Sequence, residues 1–101
     1  MPSSYHSLTY HIVFGTKFRR SFLAPDVRTD IYAYIAGILK NKQEKLFAIG
    51  GVEDHVHHLT TCSPTVGLSD FIRDIKAYSS KWLHEERRLR DFHWQIGYGA
   101  F

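Results

Sequence analysis

A chain of 101 residues makes one small domain, and with 44% apolar and 15% aromatic residues it carries the makings of a core that disordered chains lack. Thirteen Lys and Arg against ten Asp and Glu leave a charge of +3, which admits a polyanionic partner and is equally ordinary as solubilising charge. The single cysteine, Cys62, excludes an intrachain disulfide and points to the cytoplasm; the polar start from Met1 to Leu8 lacks a signal-peptide core, and no apolar run nears the ~20 residues that cross a bilayer, so neither a secretory leader nor a membrane role is expected.

From Ser7 to Thr16 the chain alternates, with Leu8, Tyr10, Ile12 and Phe14 on one side and Thr9, His11 and Val13 on the other, the period of a strand. A basic connector, Lys17-Phe18-Arg19-Arg20, leads to Pro25, a favoured first-turn residue, after which Val27, Ile31, Tyr34, Ile35, Ile38 and Leu39 recur at helical spacing and predict a helix to about Lys42. Leu46 to Ile49 reads as a short strand ended by Gly50-Gly51, and a third strand runs from about His55 to Cys62. Past the turn residues Ser63 to Gly67, with Ser69 or a neighbour as cap, the stripe Leu68, Phe71, Ile72, Ile75, Ser79, Trp82 and Leu83 predicts a second helix to about Arg88. Phe92 to Phe101 is aromatic and suits a last strand, with glycines that allow bends. The order βαββαβ predicts a ferredoxin-like α+β domain, an antiparallel sheet with both helices on one face and the other face free for a ligand.

The chemistry concentrates in Gly50-Gly51-Val52-Glu53-Asp54-His55-Val56-His57-His58-Leu59. On a strand, side chains at i and i+2 share a face, so His55 and His57 project together and together suit a divalent cation, which polarises phosphoryl oxygens. Glu53 and Asp54 offer oxygen ligands that hard ions prefer, or are solvated turn residues. His58 alternates to the other side with Val56, where a buried neutral imidazole with one hydrogen bond is expected. Cys62 also falls on the side away from His57, against a zinc site.

Three further stretches frame the pair: Tyr10-His11-Ile12-Val13-Phe14-Gly15-Thr16-Lys17 in the first strand, Ile75-Lys76-Ala77-Tyr78-Ser79-Ser80-Lys81-Trp82 in the second helix, and Trp94-Gln95-Ile96-Gly97-Tyr98-Gly99-Ala100-Phe101 at the end. In this order the chain resembles the insertion-sequence-200-like transposases, a branch of the HUH single-tyrosine endonucleases. The resemblance implies that His55 and His57 hold Mg²⁺ or Mn²⁺ against the scissile phosphate of single-stranded DNA at a transposon end. It further implies attack by a tyrosine to give a 5′-phosphotyrosine, recognition of DNA hairpins near the element ends, and work as a homodimer.

The nucleophilic tyrosine of that family lies on a helix after the Gly-Tyr-Gly-Ala-Phe strand. The sequence 1–101 stops at Phe101, before any such helix, and neither Tyr98 nor Tyr78 matches the nucleophile's position. Residues 1–101 are therefore expected to bind DNA without cutting it, and a hairpin-binding module for single-stranded DNA or RNA is the alternative reading. A water-using metal hydrolase lacks an evident general base. Lys17, Arg19 and Arg20 are candidate phosphate contacts or a solvated loop. Arg73 and Lys76, with Ser80, His84 and Arg87, form a helix face that either tracks a phosphate backbone or is merely solvated. Tyr5, Phe18 and Phe22 are candidates for stacking on bases, or for packing.

Overall fold

The computed structural model describes residues 8–101, so the expectations for Tyr5 and for Ser7 lie outside the described residues. Strand β1 (Leu8–Gly15), helix α1 (Pro25–Asn41), strands β2 (Leu46–Val52) and β3 (His55–Cys62), helix α2 (Leu68–Glu86) and strand β4 (Gly99–Ala100) follow in the expected sequence. The sheet order is β2-β3-β1-β4, antiparallel at every pairing. The protein is an α+β domain of the ferredoxin-like kind.

Alternation decides which face of the sheet is covered. Ile12 and Phe14 of β1 and Val56, His58 and Thr60 of β3 are buried beneath the helices. They meet Val27, Ile31, Ile35 and Leu39 of α1 and Phe71, Ile72, Ile75 and Leu83 of α2. The residues between them, His11 and Val13 on β1 and His55, His57 and Leu59 on β3, look out from the open face.

Three local expectations need correction. Gly50-Gly51 does not end β2, which runs on to Val52; a Cβ at Gly51 would come within 2.2 Å of the His55 carbonyl oxygen, so glycine here lets two backbones approach in the β2-β3 hairpin rather than breaking a strand. The last strand is two residues long, with a single further bridge from Thr16 to Trp94. Phe92 and Trp94 turn into the core instead, Trp94 donating its indole N–H to Ser79 Oγ at 3.0 Å, and Gly97 takes φ +92°. Finally, α2 is preceded by Gly67 without any side-chain cap, and Ser69 Oγ bonds the Tyr98 hydroxyl instead.

Candidate metal and nucleic-acid site

β3 delivers His55 and His57 to the open face as half-buried side chains, their ring centroids 6.2 Å apart and their planes inclined at 34°. His55 Nδ1 lies 2.9 Å from Asp54 Oδ1. A carboxylate only accepts, so Nδ1 carries a proton, and in a neutral ring Nε2 is then the nitrogen with the lone pair. Asp54 is steadied by Arg19, whose Nε and Nη2 reach its two oxygens at 3.2 and 3.3 Å. The hydrogen bonds from His55 and Arg19 hold the Asp54 carboxyl below the usual carboxylate range. Asp54 sits in the turn between β2 and β3, as expected, with its carboxylate bonded to His55 and Arg19.

Arg19 reaches Asp54 because the connector after β1 folds back sharply. Phe18 and Arg19 both adopt left-handed backbone, φ 59° and 55°, which residues other than glycine take at a cost. Buried Thr16 pins the bend, its hydroxyl donating to Arg20 O at 2.7 Å, and Phe18 N–H donates to Gln95 Oε1 at 3.2 Å.

His57 is approached by a group that alternation put beside Thr9 and Val13 without linking it to the site: His11 of β1, whose Nε2 is 3.4 Å from His57 Nδ1. The β1-β3 register sets Val13 opposite His57 and His11 opposite Leu59, so the two imidazoles meet on a diagonal. Only the register, not the sequence period, brings them together. The Nε2 edge of His57 lies over Gly50, where an added Cβ would stand 3.5 Å away.

The donor set fits a small divalent ion in part. Two imidazoles whose Nδ1 atoms each meet a neighbour, and whose Nε2 atoms have no hydrogen-bond partner among the described residues, suit an ion such as Mn²⁺, and among those residues no third His, Cys, Asp or Glu joins them. Any such ion would take its remaining ligands from water and substrate oxygens. Beside His55 opens a cleft of about 270 Å³ lined by Val13, Gly15, Arg19, Gln95 and Tyr98 among others.

Next in sequence, His58 is 1% exposed and faces Phe14, ring centroids 5.9 Å apart. It is buried as expected, but no hydrogen-bond partner meets either ring nitrogen. Burial first, and then the neighbouring imidazoles of His11 and His57, push its pKa down to about 4. Cys62 is buried on the side away from His57.

The basic candidates divide. Lys17, Arg19 and Arg20 are exposed just past the end of β1, and Arg19 is already paired with Asp54 beside His55. Arg73 pairs with Asp70 at 3.1 Å. Lys76 donates to the carbonyls of Gln95 and Gly97 at 2.7 and 2.9 Å, and desolvation lowers its pKa. His84 Nε2 bonds Phe92 O at 2.6 Å, and Arg87 clamps Asp26 and Asp30 of α1. This face of α2 chiefly fastens the C-terminal segment and α1. Phe18 is exposed, whereas Phe22 packs on Phe92.

Residues 4–101 match the family described as "Transposase IS200 like", and the chain belongs to that family. It is 29% identical over 96 residues to the transposase for insertion sequence element IS200 of Salmonella typhimurium, covering 88% of this chain and 62% of that protein. It is 24% identical over 76 residues to the ISDra2 transposase TnpA of Deinococcus radiodurans, covering 75% and 54%. The chain thus spans less than two-thirds of the length of these relatives. In fold it is similar to a putative transposase from Deinococcus radiodurans (TM-score 0.84, 22% identity, 94% of this chain and 78% of that one). A REP-associated tyrosine transposase bound to a REP hairpin is also similar (TM-score 0.66, 18% identity, 92% and 54%).

Proposed function

We propose that this domain is the DNA-gripping, cation-holding part of an insertion-sequence transposase, acting on single-stranded DNA ends that bear hairpins. The observation that carries the reading is the pair His55 and His57, side by side on the open face with each Nδ1 met by a neighbour and each Nε2 directed elsewhere. Mg²⁺ or Mn²⁺ held there supplies charge stabilisation at a scissile phosphate. The chain's own residues orient the two imidazoles, through Asp54 and Arg19 for His55, and offer the adjoining cleft to the strand. Lys17, Arg19 and Arg20 carry the phosphate contacts nearest the site; Arg73 and Lys76 contribute along α2 where their internal bonds leave charge exposed.

The tyrosine that would attack is assigned to none of these 101 residues. The Tyr98 hydroxyl is engaged by Ser69 at 2.8 Å, and Tyr78 stands exposed on α2. In this reading residues 1–101 position a DNA end, and no 5′-phosphotyrosine is assigned to them. The open edges of β2 and β4 are where two copies would join as a homodimer. The proposed setting is the cytoplasm, in keeping with a single, buried cysteine, Cys62; among the described residues no helix is long and apolar enough to cross a membrane.

The test is a titration of hairpin-bearing single-stranded DNA with and without Mn²⁺, on the native chain and on the His55→Ala, His57→Ala double variant. Tightening by Mn²⁺ in the native chain and its loss in the double variant is the expected result. Tightening that survives the double change removes the histidines from the site, and binding indifferent to both makes this a hairpin-binding module alone.

A further inference from the structure

Each of the two candidate ligands needs its second ring nitrogen tied down if the first is to face an ion, because a neutral imidazole carries one N–H and one lone pair. For His55 the tie is Asp54. For His57 the corresponding atom, Nδ1, faces another imidazole: His11 Nε2 at 3.4 Å, the rings edge to face at 76° with centroids 5.4 Å apart. We infer that His11 is a positioning residue for His57, accepting its Nδ1 proton and so leaving the His57 Nε2 lone pair available on the open face.

This inference rests on the reading of His55 and His57 as a cation-holding pair. The tautomer decides it. If His57 donates from Nδ1, its Nε2 is a ligand; if His11 donates instead, His57 bears its proton on Nε2 and is closed to metal. A cation selects the first arrangement, which needs His11 neutral with its own proton on Nδ1. The geometry also argues against His11 as a third ligand, since its Nε2 is directed at His57 and no three-ligand group forms among the described residues.

His11 is itself held in place from the far edge of the sheet. Its backbone N–H donates to Phe101 O at 2.9 Å, and Phe101 N–H returns a bond of 2.9 Å to His11 O. The Phe101 ring lies 6.3 Å from the His11 ring, centroid to centroid. The closing residues of the chain thus fix the strand position from which His11 steadies His57.

The experiment titrates the folded chain with Mn²⁺ alone, followed by water-proton relaxation, for the native protein and for His57→Ala, His11→Ala and His11→Gln. Loss of an outer partner of a ligating histidine weakens metal affinity about 10- to 100-fold. His11→Ala is therefore expected to fall by at least about tenfold, while His11→Gln, whose amide oxygen restores an acceptor near the Nε2 position, recovers most of it. With Mg²⁺ bound, ¹⁵N spectra should show the His57 proton on Nδ1. Native affinity in His11→Ala, or a His57 proton on Nε2, overturns the inference and leaves the histidine pair standing. Abolition as complete as in His57→Ala, with no recovery by Gln, makes His11 a ligand and also overturns it. Failure of the native chain to bind more tightly than His57→Ala defeats the pair itself, and the positioning role with it.

Discussion

His57 and His58 are neighbours in the chain and opposites in surroundings. His57 is half-buried on the open face with its Nδ1 met by His11, whereas His58 is sealed against Phe14 with neither nitrogen bonded. The pleat alone produces the contrast, since adjacent side chains on a strand point to opposite faces. One imidazole is therefore available for chemistry, and the other charges the fold for its desolvation. The pair shows that a run of histidines in a motif is no unit: alternate members share a face and its surroundings.

The largest effect should come from His58. Its folded pKa, about 4, lies below the ordinary 6.5. The unfolded chain therefore binds the proton first, and stability is fully present above about pH 6.5 and lost as pH falls toward 4. Between pH 7 and pH 5 the loss is about 2 kcal/mol. Asp54 and Asp74, held below 3.8, add their losses only at more acid pH. His58→Leu replaces an unbonded buried imidazole by an apolar group of similar size. It should gain about 1 to 3 kcal/mol at pH 7 and flatten the profile from pH 7 to 5 while leaving Mn²⁺ affinity unchanged. Urea unfolding at the two pH values checks this; an unaltered slope in the variant would remove His58 as its source.

The second effect probes the outward-facing side of the comparison. Asp54→Ala removes the acceptor of the His55 Nδ1 proton and strands Arg19. Mn²⁺ affinity should drop by about tenfold, with the midpoint of thermal unfolding little moved, because the Arg19–Asp54 pair is solvent-screened. A variant that keeps its affinity would show that His55 orients without help.

The order of elements, the helix positions and the bounds of β3 could all be read from periodicity, because Ile12, Phe14 and the stripes of α1 and α2 are repeated demands for burial. So could the shared face of His55 and His57. What could not be read depends on partners distant in sequence. His11 joins the site only through the β1-β3 register, Asp54 through a left-handed turn that returns Arg19, and Lys76 is drawn inward by carbonyls of a segment that looked like a strand. That segment misled because its aromatic residues suit a strand and a core equally, and Phe92 and Trp94 found the core.

A smaller effect separates the two groups of basic residues. Lys17 and Arg20 are exposed and have no carboxylate partner among the described residues, whereas Arg73 is paired with Asp70 and Lys76 already donates to two carbonyls. Each phosphate contact on a single strand contributes about 0.7 to the slope of log affinity against log salt. Lys17→Gln with Arg20→Gln should lower that slope by about 1.4, measured by anisotropy of labelled hairpin DNA. Arg73→Gln should lower it by less.

The smallest effect belongs to Tyr98. Its ring borders the cleft beside His55, yet its hydroxyl is turned to Ser69 on α2. Tyr98→Phe removes one exposed hydrogen bond, about 0.5 kcal/mol of stability, and should leave both DNA affinity and Mn²⁺ affinity as they were. The aromatic wall remains, and the hydroxyl is too committed to serve the cleft. A loss of DNA binding in this variant would mean that the hydroxyl leaves Ser69 for the strand. The contrast between the open face and the helix-covered face would then have to admit a residue that passes from one to the other.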